Sequence, residues 1–159
     1  MFGKTITLFT LFGFSVRIDL SWLIILVLVV WSLAGGVFPD QFEGLHWSLY
    51  LSMGIAAALG LFGSIVVHEL CHSLAARRYG MPMEGITLFL FGGIAEMGDE
   101  PPSAKAELVM ALAGPAASVV LAAVFIGLTF VGTAAGWSEP VIGVLRWIGI
   151  INGIVVAFN

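Results

Sequence analysis

Four long apolar stretches constrain this chain most, because each has the length of a membrane-spanning helix. About 20 apolar residues in a helix cross about 30 Å of hydrocarbon, and the stretches cover residues 20–38, 47–76, 106–131 and 141–158. The chain of 159 residues is 60% hydrophobic and only 10% charged, which excludes an ordinary soluble domain. We predict an all-α polytopic membrane protein with about four transmembrane helices, surrounded by the lipid bilayer. The net charge of −4, without a basic run, predicts no nucleic-acid partner.

The second apolar stretch contains His68-Glu69-Leu70-Cys71-His72. On a helix, residues at i and i+4 project from one face, so the imidazoles of His68 and His72 can bind one metal ion with Glu69 beside them as a base. This arrangement is typical of a zinc hydrolase. A carboxylate and two imidazoles at membrane depth are costly unless they are partnered or functional. The alternative is a coincidental match, in which both histidines are satisfied core residues.

The basic residues predict which side of the membrane faces the cytoplasm. If four helices alternate in direction, five basic residues fall on one side: Lys4, Arg17, Arg77, Arg78 and Lys105. By the positive-inside rule that side is cytoplasmic, so we predict a multi-pass cell-membrane protein whose N-terminus and active-site side face the cytoplasm. The exception is Arg146, which either extends to the headgroups beside Trp147 or has a buried functional role.

Small residues recur at every fourth position in three of the four stretches. Such faces let membrane helices approach closely, so we predict a core of the second to fourth helices with the first helix peripheral. The second stretch has Ser52, Ala56, Gly60 and Ser64, which lead to His68, His72 and Ala76; the third has Ala106, Met110, Gly114, Ser118 and Ala122; and the fourth has Gly149, Gly153 and Ala157.

Residues 80–103 differ from the apolar stretches and predict a short β-hairpin between the second and third helices. A strand over residues 86–91 is followed by a turn at Gly92-Gly93 and a second strand over 94–97. An exposed strand edge here would pair with an unwound substrate segment, with Gly92, Gly93 and Ile94 as candidate binding residues. The alternative is an amphipathic connection on the headgroups. A second hairpin is predicted around Gly13, from residues 6–12 and 15–19.

Four stretches of sequence resemble the site-2 protease family of intramembrane zinc metalloproteases, especially its bacterial and archaeal branch. They are VRIDLSW at 16–22, VHELCHSLA at 67–75, LFGGIAEM at 90–97 and ALAGPA at 111–116. The similarity covers nearly the whole chain. It implies that His68 and His72 are zinc ligands, that Glu69 is the catalytic base, and that the substrate is a transmembrane segment of a membrane protein.

The resemblance also implies a division of the chain and a missing ligand. In the family, the third zinc ligand is an Asp in an Asn-x-x-Pro-x-x-Pro-x-Asp-Gly motif, and Asn159 resembles the first residue of that motif. We therefore expect a fragment of a longer enzyme. The division is a hairpin at 1–19, a peripheral helix at 20–38, the zinc-motif helix at 47–79, the hairpin loop at 80–103, the Gly-Pro helix at 104–131, and the start of the helix before the Asp motif at 141–159.

Several further residues are candidates for the site. Cys71 and Glu96 are alternative third ligands, although Cys71 points away from both imidazoles on the same helix. Asn152 and Asn159 are candidate substrate-binding residues, and a buried interhelical hydrogen bond is the other interpretation of Asn152. Two other functions stay open: a membrane metalloprotease of another type, with a Glu as third ligand, and a pseudoprotease or other non-enzymatic membrane protein. The sequence predicts neither the oligomeric state nor the identity of the substrate.

Overall fold

The computed structural model describes residues 5–81, 83–89, 92–97 and 101–158. The helices are α1 Ser21–Ser32, which continues through a π-helical turn Leu33–Val37 into α2 Phe38–Gln41, then α3 Trp47–Arg78, α4 Ala104–Ala134 and α5 Glu139–Ala157. The strands are β1 Thr5–Leu11, β2 Phe14–Asp19, β3 Met83–Phe89 and β4 Gly92–Met97.

Four helical segments are long and apolar enough to cross a membrane, which confirms the predicted fold class. They are Ser21–Gln41, Trp47–Arg78, Ala104–Ala134 and Glu139–Ala157. The last begins two residues before the predicted stretch. Pro140 lies in its first turn, where the missing N–H of a proline costs no helical hydrogen bond and its fixed φ suits the helix.

The strands form one sheet in the order β1-β2-β3-β4. The first hairpin was predicted, and its turn has positive φ at both central residues, 51° at Phe12 and 88° at Gly13, as a two-residue hairpin turn of type I′ requires. The guanidinium of Arg77 donates a hydrogen bond of 2.7 Å to the carbonyl of Phe12 and lies 4.7 Å from the ring centroid of Phe14. The last turn of α3 is thereby tied to this hairpin.

The sequence did not predict that the two hairpins join. Strands β2 and β3 pair in parallel, with Ser15 opposite Gly85 and Ile18 opposite Leu88. Gly85 permits this pairing, because a Cβ at that position would lie 2.6 Å from the carbonyl oxygen of Ser15.

The predicted position of the second hairpin's turn was wrong. Gly92 and Gly93 belong to β4, where they pair with Phe89 and Leu88. The two residues between the strands, at 90 and 91, lie outside the described part of the chain. A Gly-Gly pair is a turn signal because glycine adopts unusual φ values, but glycine also occurs within strands, as Gly92 and Gly93 do here.

The chain divides into two compact units. Unit 1 comprises Met1–Ile25 and Ile65–Ala117, so it contains the sheet, the C-terminal half of α3 and the N-terminal half of α4. Unit 2 comprises Leu26–Ser64 and Ser118–Asn159, so it contains most of the first span, the remaining halves of α3 and α4, and α5.

Glycines mark the close helix contacts of unit 2. A Cβ at Gly60 would lie 2.3 Å from Ile148 of α5, and one at Gly149 would lie 2.8 Å from Ile126 of α4. A core cluster joins the first span to α3, formed by Leu33, Ala34, Phe38, Tyr50, Met53 and Ala57.

The predicted small-residue stripes form contacts only in part. Ser52 and Ala56 are exposed, and nothing lies within 4 Å of a Cβ built at Gly153. Four residues turn a helix by about 400°, so a stripe of this spacing drifts by about 40° per step. The packed face of α3 near its start is therefore carried by Met53 and Ala57 instead.

Candidate metal centre

The two histidines of the motif lie together in unit 1. His68 is buried and His72 is half-buried on α3, one turn apart. Their Nε2 atoms are 3.1 Å apart, and their rings meet edge to face with centroids 4.9 Å apart. The Nε2 atoms of the two rings are therefore close enough to contact the same ion.

A hydrogen bond fixes which nitrogen of His72 is available. Its Nδ1 lies 2.6 Å from the backbone carbonyl oxygen of Met110 on α4. A carbonyl only accepts, so Nδ1 carries the hydrogen and donates it. In the neutral ring Nε2 then has a free lone pair, and the ring is held in the orientation that presents this nitrogen.

A proline lies close to this carbonyl in α4. Pro115, inside α4, has no N–H for the carbonyl of Ala111, and its ring crowds that carbonyl. A proline therefore loosens the turn that precedes it, where neighbouring backbone oxygens become accessible to other donors. The carbonyl of Met110 lies in this turn.

Gly114 supplies the space next to the two imidazoles. A Cβ at this position would lie 2.2 Å from Nε2 of His72 and 2.5 Å from Nε2 of His68. These distances are far below van der Waals contact, so no other amino acid fits without displacing the rings. The backbone of α4 thus borders a small space beside both nitrogens.

The space and the donor atoms fit a zinc ion. Two nitrogens that bind one zinc ion at about 2.0–2.1 Å in tetrahedral geometry are about 3.3 Å apart, close to the 3.1 Å between the two Nε2 atoms. In the described part of the chain, no third His, Cys, Asp or Glu joins them. Neither Glu69 nor Cys71 therefore completes a three-ligand group here. The side chain of Glu96 lies outside the described residues.

Glu69 follows His68 directly in α3. It is half-buried, and among the described residues no hydrogen bond or ion pair engages its carboxylate. A carboxylate without a partner is free to accept a proton from water, as a general base must.

The remaining predicted site residues lie in two other places. Gly92, Gly93 and Ile94 lie in β4, at one edge of the sheet, where β4 pairs only with β3 among the described strands. Asn152 is fully buried in unit 2, and its Nδ2 donates to Oγ of Ser64 at 3.0 Å and to the carbonyl of Ile148 at 2.8 Å. This is the interhelical hydrogen bond that was one interpretation of Asn152. Asn159 lies outside the described residues.

Sequence reasoning missed the roles of Met110 and Gly114 at the histidines. Met110 was identified only as a member of a small-residue stripe, and Gly114 as a member of that stripe and of the stretch ALAGPA. The adjacent Gly114-Pro115 pair was the available signal, because a glycine beside a helix-loosening proline marks close backbone approach.

Comparison with known proteins shows a family match and two similar proteins. Residues 56–159 match the family model described as peptidase family M50. Rip3 of Mycobacterium tuberculosis, named as a zinc metalloprotease, is 40% identical over 149 residues, which are 92% of this chain and 37% of Rip3. The protein sll0528 of Synechocystis, also named as a zinc metalloprotease, is 40% identical over 152 residues, 94% of this chain and 38% of that protein.

One solved structure has a similar fold. It is the site-2 protease from Methanocaldococcus jannaschii, with a TM-score of 0.60 and 23% identity, covering 95% of this chain and 63% of that chain. The chain thus spans a little over a third of the length of the two relatives named above.

Proposed function

Because the chain belongs to peptidase family M50, the family of the site-2 proteases, we propose that it is part of a zinc-dependent intramembrane endopeptidase. The substrates are transmembrane segments of membrane proteins, and their cleavage is a step in regulated intramembrane proteolysis. One observation carries this proposal: the two Nε2 atoms lie 3.1 Å apart beside Gly114, within a helix apolar enough to span a membrane.

Three side chains have defined roles in this proposal. His68 and His72 hold the zinc ion through Nε2, and the Met110 carbonyl keeps His72 in the required tautomer. When bound there, zinc would act as a Lewis acid toward the scissile carbonyl and the attacking water. The carboxylate of Glu69 takes the proton from the attacking water and transfers it to the leaving amine.

The third ligand is proposed to come from outside the described residues. A catalytic zinc site normally has three protein ligands and one open position, and the described residues supply two. The relatives named above are more than twice as long as the matched region. An Asp that follows Asn159, as the family resemblance implies, is the proposed ligand.

The substrate is proposed to bind as an added strand. A transmembrane helix holds its carbonyls in hydrogen bonds, so it must unwind before a peptide bond can be attacked. The outer edge of β4, at Gly92, Gly93 and Ile94, offers backbone groups for pairing with an unwound segment. Asn159 is proposed as a further polar contact to substrate, whereas Asn152 is fully buried and joins α5 to α3 through Ser64. The active-site side is proposed to face the cytoplasm.

The proposal is tested by proteolysis in detergent with the protein as its gene encodes it. Glu69→Gln should lower cleavage of a transmembrane reporter by about a hundredfold or more, because general-base catalysis contributes about 10²–10⁴. Its zinc content should stay unchanged. Glu107→Gln, which removes an exposed carboxylate from the first turn of α4, is the matched control. Cleavage by Glu69→Gln at the rate of the control would contradict the base assignment.

A pseudoprotease is the second candidate, favoured by the absence of a third ligand among the described residues. Such a protein would bind transmembrane partners without cleaving them. The same experiment distinguishes a pseudoprotease from a protease, because an unmodified pseudoprotease would show neither bound zinc nor cleavage.

A further inference from the structure

A charged cavity lies in unit 2, near the turn between α4 and α5. Its volume is about 420 Å³, and Arg146 and Glu139 both line it, together with Phe42 and Trp137. In the described part of the chain, no ion pair joins Arg146 to Glu139. The cavity therefore offers a cation and an anion that do not neutralise each other.

The cavity lies at the end of two membrane-capable helices. α4 ends at Ala134 and α5 begins at Glu139, so the turn between them marks the level at which both spans leave the hydrocarbon. Trp137 in this turn is 43% exposed, and tryptophan is enriched at this depth of a membrane. The groups that line the cavity are thus at the level of lipid headgroups.

The order of the two charges along α5 matches that of a zwitterionic headgroup. Arg146 follows Glu139 by two helical turns on the same face, which places it about 10 Å further into the span. The long side chain of an arginine at this depth can extend back to the interface. In a phospholipid, the phosphate is next to the glycerol and the amine is further out, so the phosphate meets the arginine and the amine meets the glutamate.

We propose that this cavity binds the headgroup of phosphatidylethanolamine, with the phosphate on Arg146 and the ammonium on Glu139. A guanidinium matches the geometry of phosphate oxygens. The carboxylate accepts hydrogen bonds from a primary ammonium, and the Trp137 ring adds cation–π attraction. A choline headgroup has no N–H to donate, and a headgroup without an amine leaves Glu139 unpaired beside a phosphate.

The test is lipid retention, measured by native mass spectrometry of the protein purified in mild detergent. An equimolar mixture of phosphatidylethanolamine, phosphatidylcholine and phosphatidylglycerol with identical acyl chains is added. Phosphatidylethanolamine should be retained about fivefold more than the others, as expected for one exposed charge pair. Glu139→Gln should abolish this preference, and Arg146→Gln should weaken retention of all three lipids.

Exposed charges elsewhere provide matched controls. Asp40→Asn and Lys105→Gln remove exposed groups that do not line the cavity, and both variants should retain lipid as the unmodified protein does. All four substituted residues are exposed, so the fold should be unaffected. Equal retention of the three lipids, unchanged retention in the cavity variants, or displacement of the lipid by inorganic phosphate would each overturn the proposal. No readout depends on proteolysis.

Discussion

At the scale of single residues, the spacing of His68 and His72 predicted their convergence, because helical geometry alone brings positions i and i+4 together. The same sequence did not predict that Gly114 borders both nitrogens, since that contact joins residues more than forty positions apart. Local periodicity determines which face of a helix a residue occupies. It does not determine which residue of another helix lies opposite.

Gly114→Ala should weaken zinc binding while leaving the helices intact. The added Cβ would lie 2.2 Å and 2.5 Å from the two Nε2 atoms, so the rings must move apart. We expect zinc affinity to fall by at least about tenfold, the lower range seen when support of a metal ligand is lost. The control is Gly127→Ala on the same helix, where nothing lies within 4 Å of the added atom. Equal zinc affinity of the two variants would show that Gly114 does not lie against the two imidazole rings.

Asp19 should make stability depend on pH in the acid range. Hydrogen bonds from Ser21, first from its hydroxyl and second from its backbone amide, hold the pKa of Asp19 below its ordinary value of 3.8. Because the folded-state pKa is lowered, the ionised group stabilises the fold above about pH 3.8, and this stabilisation is lost as the pH falls through the folded-state pKa.

Thermal unfolding of Asp19→Asn tests this contribution. The variant should unfold at a lower temperature than the unmodified protein at pH 7, and the difference should shrink as the pH is lowered below the ordinary pKa. A difference that stays constant from neutral to acid pH would show that the ionised carboxylate contributes nothing.

At the scale of elements, both hairpins were predicted because short strands and turn residues are local signals. Their union into one sheet was not predicted, since β2 and β3 are separated by the whole of α1, α2 and α3. The parallel pairing depends on Gly85, which leaves room for the carbonyl of Ser15. A glycine within a predicted strand was therefore evidence of close backbone approach, and only the structure shows which backbone approaches.

Arg77→Gln should loosen the first hairpin. The substitution removes the hydrogen bond to the Phe12 carbonyl and the contact with the ring of Phe14, together worth about 1–2 kcal/mol. Arg78→Gln, next to it on α3 and also exposed, is the control. Hydrogen exchange of the β1–β2 amides should be faster in the first variant and unchanged in the second. Equal exchange in both would show that Arg77 does not hold the turn.

At the scale of the whole molecule, the number of spans and the fold class followed from length and hydropathy, which are properties of each segment by itself. The complete ligand set did not follow. The described residues hold two histidines at zinc-ligand spacing, and the chain covers only 37% and 38% of two relatives named as zinc metalloproteases. We therefore propose that this chain supplies part of a metal site and that the remaining ligand lies elsewhere in the protein.

The zinc content of the protein as its gene encodes it decides whether His68 and His72 hold a metal ion. It is measured by elemental analysis after purification in detergent, for the unmodified protein and for His68→Ala, His72→Ala and His46→Ala. His46 is exposed, and among the described residues its imidazole is hydrogen-bonded only to Ser48, so it controls for the loss of a histidine. We predict about one zinc ion per molecule in the unmodified protein and in His46→Ala, as for a single three-ligand site, and almost none in the other two variants. Full zinc content in His68→Ala or His72→Ala would contradict the assignment of the metal centre.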